Sequence, residues 1–381
     1  MIVSIIKFCL RAEGNTMKKL FVVFLVTVLI VSMAVGCRRD TAPDNTPPGD
    51  RGGITEDGLS QGRDIAKIGL GSITSINDST EAEGDKGPTA QVDTTTAAVA
   101  FDKNDRVVKV IIDTVQTGVG FDTSGKLVTD KEGEFRTKTE LGFDYNMKRV
   151  SDIGKEWFEQ IAGLERWMEG KTVNEIKAMK VKERDPSHTH VPDEPDLTST
   201  VTITVGDYLE AVEKAHRNSV AVSAGAGTLG LGHEVSIGSS ESAKGDKGPV
   251  AQVDTTMAAT LFDREGRVVK TLIDTAQTNV EYDTKGKLIT DKEGQFKTKV
   301  ELGNDYNMKR VSDIGKEWFE QIAGLEKWME GKTVDEIRAM KVKERDPSHT
   351  HVPDEPDLTS TVTITVQDYI AAVAKSHRNA K

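Results

Sequence analysis

Apolar and polar positions change period along this chain in a way that separates strands from helices. Thr94–Phe101 and Val107–Thr114 are β-rich runs around Asp102-Lys-Asn-Asp105, which predicts a hairpin. A second tight turn between short strands is expected at Phe121-Asp-Thr-Ser-Gly-Lys-Leu-Val128. From Asp152 the period lengthens. Ile153, Trp157, Phe158, Ile161, Leu164, Trp167 and Met168 recur at helical spacing, so a helix is expected to open at Asp152 and close at Gly170. Thr172-Val-Asn-Glu175 has capping-box spacing and predicts a short second helix. Thr198–Val205 alternates strictly, which predicts a strand with Val201, Ile203 and Val205 inward and Thr200, Thr202 and Thr204 outward. Asp207 is expected to cap a last helix running through His216. The sum is an α+β chain, with antiparallel sheet and helices segregated along the sequence.

This pattern occurs twice. GDKGPTAQVDTT at Gly84 returns as GDKGPVAQVDTT at Gly245, and the same offset of 161 holds to the C-terminus without a gap. Residues 84–219 and 245–380 differ at 28 of 136 positions, so the second unit is a copy of the first. Upstream, Ile68-Gly-Leu-Gly71 matches Leu229-Gly-Leu-Gly232, so each copy starts before its GDKG stretch. A period this long argues for tandem globular domains, each long enough to bury its own core, rather than a solenoid. The expected limits are 63–222 and 223–381, joined by the Ser/Ala/Gly-rich segment Asn218–Gly227.

The N-terminus follows a different logic. Met17–Cys37 has Lys18 and Lys19, an apolar run from Leu20 to Met33, and Ala34-Val-Gly-Cys37. A cysteine directly after Ala-Val-Gly resembles the lipobox of bacterial lipoproteins, with Ala34 where Leu is commoner. That resemblance implies removal of a signal peptide, 17–36, and lipid on Cys37. Residues 1–16 stand in front of a complete signal segment, so the expected start is Met17 and Cys9 falls outside the protein. Residues 37–62, rich in Pro, Gly and Asp, have no apolar period and read as a flexible tether.

Composition narrows the chemistry. Mean hydropathy is -0.41, which excludes a polytopic membrane protein. The formal charge is -11, from 50 basic and 61 acidic side chains. Loss of residues 1–36 removes Lys7, Arg11, Lys18, Lys19 and Glu13 and takes it to -14, so no nucleic-acid partner is expected. Two cysteines cannot build a disulfide framework or a Cys-rich metal site. The chain has no Gly-rich phosphate loop, nucleophile elbow or His-Glu-x-x-His.

What is left is a short set. His188 and His190, repeated as His349 and His351, lie two apart in a Pro-rich acidic loop and are weak metal candidates beside Asp185, Asp193 and Glu194. Trp157, Trp167, Phe158 and Tyr145 read as core by spacing, with a planar cofactor as the other use for one ring. Asp196-Leu-Thr-Ser-Thr-Val-Thr202 recurs as Asp357-Leu-Thr-Ser-Thr-Val-Thr363 and presents threonine hydroxyls ahead of a helix. Unactivated hydroxyls are weak nucleophiles, and threonine faces are ordinary in strands.

This last motif resembles the acceptor sequence of FMN-binding domains modified by the bacterial flavin transferase, including the one carried by the sodium-pumping NADH:quinone reductase. The wider pattern is similar to tandem FMN-binding surface lipoproteins of extracellular electron transfer. It includes the Gly-Leu-Gly start, AQVDTT, Glu-Leu-Gly-x-Asp-Tyr-x-Met-Lys, Ile-Gly-Lys-Glu-Trp and the closing D-L-T-S-x-V-T-I-x-V. The resemblance covers nearly all of both repeats, with Thr200-Val201 where Gly-Ala is usual.

The resemblance implies FMN in phosphoester linkage on Thr202 and Thr363, two per chain, with Asp196 and Asp357 as motif carboxylates read by the transferase. Its implied partners are the transferase, a membrane quinol or NADH-oxidising donor, and extracellular acceptors. The implied place is the outer face of the cytoplasmic membrane, held by lipid, and the implied role is electron relay rather than catalysis on a dedicated substrate. A non-redox surface lipoprotein binding a ligand or metal through paired domains is the alternative. An extracellular flavin reductase is a third.

Overall fold

A computed structural model describes residues 64–381, apart from 187, 226 and 348. The expectations for 1–16, for the signal segment 17–36, for Cys37 and for the tether 37–62 lie outside the described residues. The first repeat opens with an antiparallel meander, β1 (Ile65–Ser75), β2 (Thr89–Phe101) and β3 (Val107–Gly120), in which Leu70 faces Ala98 and Ala98 faces Ile111. The expected hairpin is present and longer than its β-rich cores. Then come α1 (Lys138–Leu141), two 3-10 turns (142–145 and 147–149), α2 (Trp157–Met168) and α3 (Val173–Lys177). A two-residue ladder of β4 (Val181–Lys182) and β5 (Val191–Pro192) precedes α4 (Gly206–Arg217) and β6 (Val220–Gly225). The second repeat follows the same order through β7 (Thr228–Ser236), β8 (Val250–Phe262), β9 (Val268–Glu281), α5 (Lys299–Leu302), α6 (Trp318–Met329) and α7 (Val334–Arg338). It ends with β10 (Val342–Lys343), β11 (Val352–Pro353) and α8 (Gln367–Arg378). The architecture is mixed α+β with antiparallel sheets.

Three local sequence expectations are corrected. Thr198–Val205 is not a strand: residues 195–200 form a turn, in which Thr200 and Val201 both donate backbone N–H to the Leu197 carbonyl at 2.8 Å, and residues 201–205 pair in no ladder. The burial alternation holds even so, with Val201, Ile203 and Val205 buried. The helix expected at Asp152 starts at Trp157, because Gly154 sits at φ +62° and a left-handed residue cannot lie inside an α-helix. Glu156 and Glu159 form its capping box instead. Asp207 lies in the first turn of α4, and the N-cap is Val205 with no side-chain hydrogen bond. The Ser/Ala/Gly-rich join contains β6, which adds a fourth strand in the order β3-β2-β1-β6. The Thr172–Glu175 capping box and Gly170, at φ +82° beyond the end of α2, are as expected.

Period-2 side-chain alternation explains the packing. Ala97, Val99 and Phe101 of β2 join the helices α2, α3 and α4 in one core. Ala98 and Ala100, on the other face, meet Leu229, Leu231, Met257, Ala259 and Leu261 of the second repeat. A further cluster pairs Val92, Val119 and Phe121 with Val253, Val280 and Tyr282. The two sheets therefore share a core, and the expectation that each copy buries its own core holds only on the helix side. Burial on both faces is why the second half of β2 is apolar almost without interruption. The contacts are reciprocal: Ala82 N–H donates to Gly286 O at 2.9 Å, and Ala243 N–H to Gly125 O at 2.8 Å.

Candidate functional site

The threonine motif is shaped by what its apolar members bury. Leu197 and Val201 enter the helix-side core, which leaves Asp196, Thr198 and Ser199 exposed on the turn. Asp196 is exposed, and Thr202 is half-buried just beyond the turn.

Two residues outside the motif hold Thr202. Gln160 of α2 is fully buried, and its Oε1 accepts the Thr202 backbone N–H at 2.9 Å and lies 3.3 Å from Thr202 Oγ1. Gln160 Nε2 donates to Ser151 Oγ at 3.2 Å, so the amide orientation is set from both ends. Arg184 Nη1 donates to the Thr202 carbonyl at 3.2 Å while pairing with Asp152 at 3.1 Å and, through Nε, with Asp185 at 3.2 Å. Thr363 repeats this with Gln321 at 2.8 and 3.3 Å and with Arg345 at 3.2 Å. One signal for Gln160 was available, because it is a polar residue set among Trp157, Ile161 and Leu164 on the apolar stripe, a position it shares with Glu165. Nothing local in the sequence points to Arg184.

A second polar cluster joins β2, β3 and α1. Lys138 Nζ is 5.1 Å from the Tyr145 ring centroid and 5.6 Å from that of Trp157. Tyr145 Oη donates to Gln116 Oε1 at 3.0 Å, and Gln116 Nε2 donates to Asp93 at 2.8 Å. Burial by itself would lower the Lys138 pKa, but the Tyr208 and Tyr145 hydroxyls and the Asp93 carboxylate outweigh it and hold the ammonium above its ordinary value. Lys299 stands in the same setting with Tyr369, Tyr306 and Asp254. Burial, with help from Glu210 and Asp93, raises Asp207. Thr204 Oγ1 and Thr365 Oγ1 are buried and have no hydrogen-bond partner among the described residues, which is costly for a hydroxyl in an ordinary core.

The rings divide by burial. Trp157 is buried, with Nε1 donating to Tyr208 Oη at 3.0 Å, so its faces belong to the core. Trp167 is covered by Lys171, 4.3 Å from its centroid, and Phe158 packs edge-on against Phe143 at 5.2 Å. Tyr145 is half-buried and carries the Lys138 ammonium over its ring.

The histidines do not converge. His188 Nδ1 is 2.8 Å from Asp185 Oδ1, and His190 Nδ1 is 2.9 Å from Thr189 Oγ1. His349 and His351 do the same with Asp346 and Thr350. No group of three His, Cys, Asp or Glu among the described residues could hold a metal ion. No helix among them is long and apolar enough to cross a membrane. No known family, characterised protein or solved structure matches this chain.

Proposed function

We propose that this chain is a lipid-anchored, extracytoplasmic flavoprotein that relays electrons from a membrane donor to extracellular acceptors. In this reading 63–222 and 223–381 are tandem FMN-binding domains behind a lipidated Cys37 and a tether. FMN is joined through its phosphate to Thr202 and Thr363.

The observation that carries the reading is the identical seating of the two threonines. Each is half-buried on unladdered chain, held by a buried glutamine, with an arginine one peptide group away. A modified residue needs its hydroxyl reachable by the transferase, and an exposed turn supplies that where a central strand would not. Arg184 and Arg345 are placed to neutralise a phosphodiester, which guanidinium recognises better than ammonium does. Gln160 and Gln321 fix the attachment residue to a rigid helix. The orphaned hydroxyls of Thr204 and Thr365 and the cations Lys138 and Lys299 are suited to a polar ring system. When bound, FMN supplies one- or two-electron transfer. The chain's part is to keep the cofactor from being lost outside the cell and to hold two of them on one body.

Intact mass tests this. The 38–381 chain, exported beside an active flavin transferase, is expected to carry two increments of FMN minus water. Thr202→Ala and Thr363→Ala should each remove one, and the double variant both. An unmodified mass, with the transferase active on a control domain, rejects the reading.

A further inference from the structure

The two copies diverge on α4 and α8 more than in the stretch that leads to them. Between Asp144 and Val205 the repeats differ at three positions, whereas from Gly206 to Ser219 they differ at six. Two of the six change charge: Glu210 becomes Ala371, and Glu213 becomes Ala374.

In the first repeat Glu213 closes a gap between helices. Its carboxylate is 2.7 Å from Lys177 Nζ on α3 and 3.2 Å from Arg217 Nη1 on α4. In the second repeat both cations remain, as Arg338 and Arg378, and the carboxylate between them is gone. Among the described residues Arg338 keeps only a 4.0 Å approach to the exposed Asp335, and no ion pair forms at Arg378. Lys375, also at the rim, is committed to Glu234 at 3.1 Å.

The lost side chains leave a cavity of about 340 Å³, floored by Met340, Val366, Ile370, Ala371 and Ala374. Arg338 and Arg378 both line it. An apolar floor of this size with a few cationic groups is the make-up of a small-molecule site.

We propose that this groove binds a small amphipathic anion, with an apolar body on the Met340–Ile370 floor and one carboxylate or sulfonate between Arg338 and Arg378. The ligand supplies the anion that Glu213 supplies from within the first repeat. One equivalent binds per chain, because the first repeat is already filled. The inference stands on this cavity and on the difference between the repeats, and does not depend on the FMN reading.

Calorimetric titration of the purified chain with naphthalene-2-sulfonate tests it, with neutral 2-methylnaphthalene and inorganic sulfate as the two half-ligands. Saturable binding of one sulfonate is expected, with both half-ligands at least about tenfold weaker. Arg338→Gln and Arg378→Gln should each weaken binding about tenfold. Ala374→Glu should abolish it, and circular dichroism will show whether that variant is folded. The converse variant, Glu210→Ala with Glu213→Ala, should raise the stoichiometry to two and does not depend on Ala374→Glu folding. Absence of binding overturns the proposal. So does binding indifferent to both arginines, tight binding of the neutral analogue, or a stoichiometry that the converse variant leaves at one.

Discussion

Replacing Gly71 or Gly232 with alanine is expected to destabilise the protein by more than about 3 kcal/mol, at the upper end of overpacking effects. A Cβ at Gly71 would lie 2.3 Å from the Ala211 carbonyl oxygen and 2.4 Å from the Ala215 nitrogen, and one at Gly232 2.1 Å from the Ala372 oxygen. These contacts are backbone atoms of α4 and α8, so no side chain can rotate away to make room. The helix would have to lift off the strand, opening the core that Ala211, Val212 and Ala215 fill. Gly69 and Gly230 are tighter still, at 1.9 and 2.0 Å from the Ala215 and Ser376 oxygens. Gly206→Ala is the control: nothing lies within 4 Å of its Cβ position, and Gln367 stands there in the second repeat. Urea midpoints for the three variants decide the matter. A Gly71→Ala midpoint close to that of Gly206→Ala would refute the close helix–strand contact. If the proposed attachment holds, flavin loading of Gly71→Ala should fall at Thr202, which lies just before α4, while Thr363 is still modified.

The second large effect is a pH dependence to which the second copy contributes more than the first, where burial raises Asp113, the counterpart of Asp274, only to about 6. Glu326 on α6 is half-buried, accepts the Ile273 backbone N–H at 2.7 Å, and has its pKa pushed up by desolvation from 4.5 to about 8. Asp274 nearby is pushed up, again chiefly by burial, from 3.8 to about 7. Both folded-state values exceed the unfolded ones. Between pH 4 and pH 8, roughly, the folded chain therefore holds protons that the unfolded chain has released, and stability falls as pH rises through that window. Glu326→Gln stays neutral and keeps the acceptor for Ile273. It is expected to remove about half of the slope that this pair produces and to gain on the order of 3 kcal/mol at pH 8, since each tenfold change in proton affinity is worth about 1.4 kcal/mol. In the first repeat the C-terminal Lys381 reaches Glu165 at 3.2 Å and offsets part of the burial effect, so Glu165→Gln should change the slope less. Urea unfolding at pH 5, 7 and 9 measures both. Equal slopes for the two variants would show that Lys381 does not distinguish the sites.

Both effects depend on contacts between distant parts of the chain, and this separates what was legible from what was not. Local spacing placed the β2–β3 hairpin, the apolar stripe of α2 and the Thr172–Glu175 cap, because each rests on interactions within a few residues. The same reasoning placed a strand at 198–205. Alternation reports which side chains are buried, and they are, but it does not report whether a neighbouring backbone completes a ladder. Here the turn that follows Asp196 folds back on Leu197 and Gln160 takes the Thr202 N–H, so no strand partner is needed.

From residues alone came the duplication, the acidic charge, the α+β order of elements and the positions of Thr202 and Thr363, since repeats, charge and short periods are properties of the sequence itself. Only the tertiary structure put Gln160 and Arg184 on Thr202, merged the two sheets into one core, paired Lys381 with Glu165, and left Arg338 and Arg378 facing an open groove. Each of these joins residues 18 to 216 positions apart, or turns on a carboxylate whose absence matters only once two helices are packed side by side. Such juxtapositions arise from burial of apolar faces, a force without direction along the chain, and so they leave no period in it.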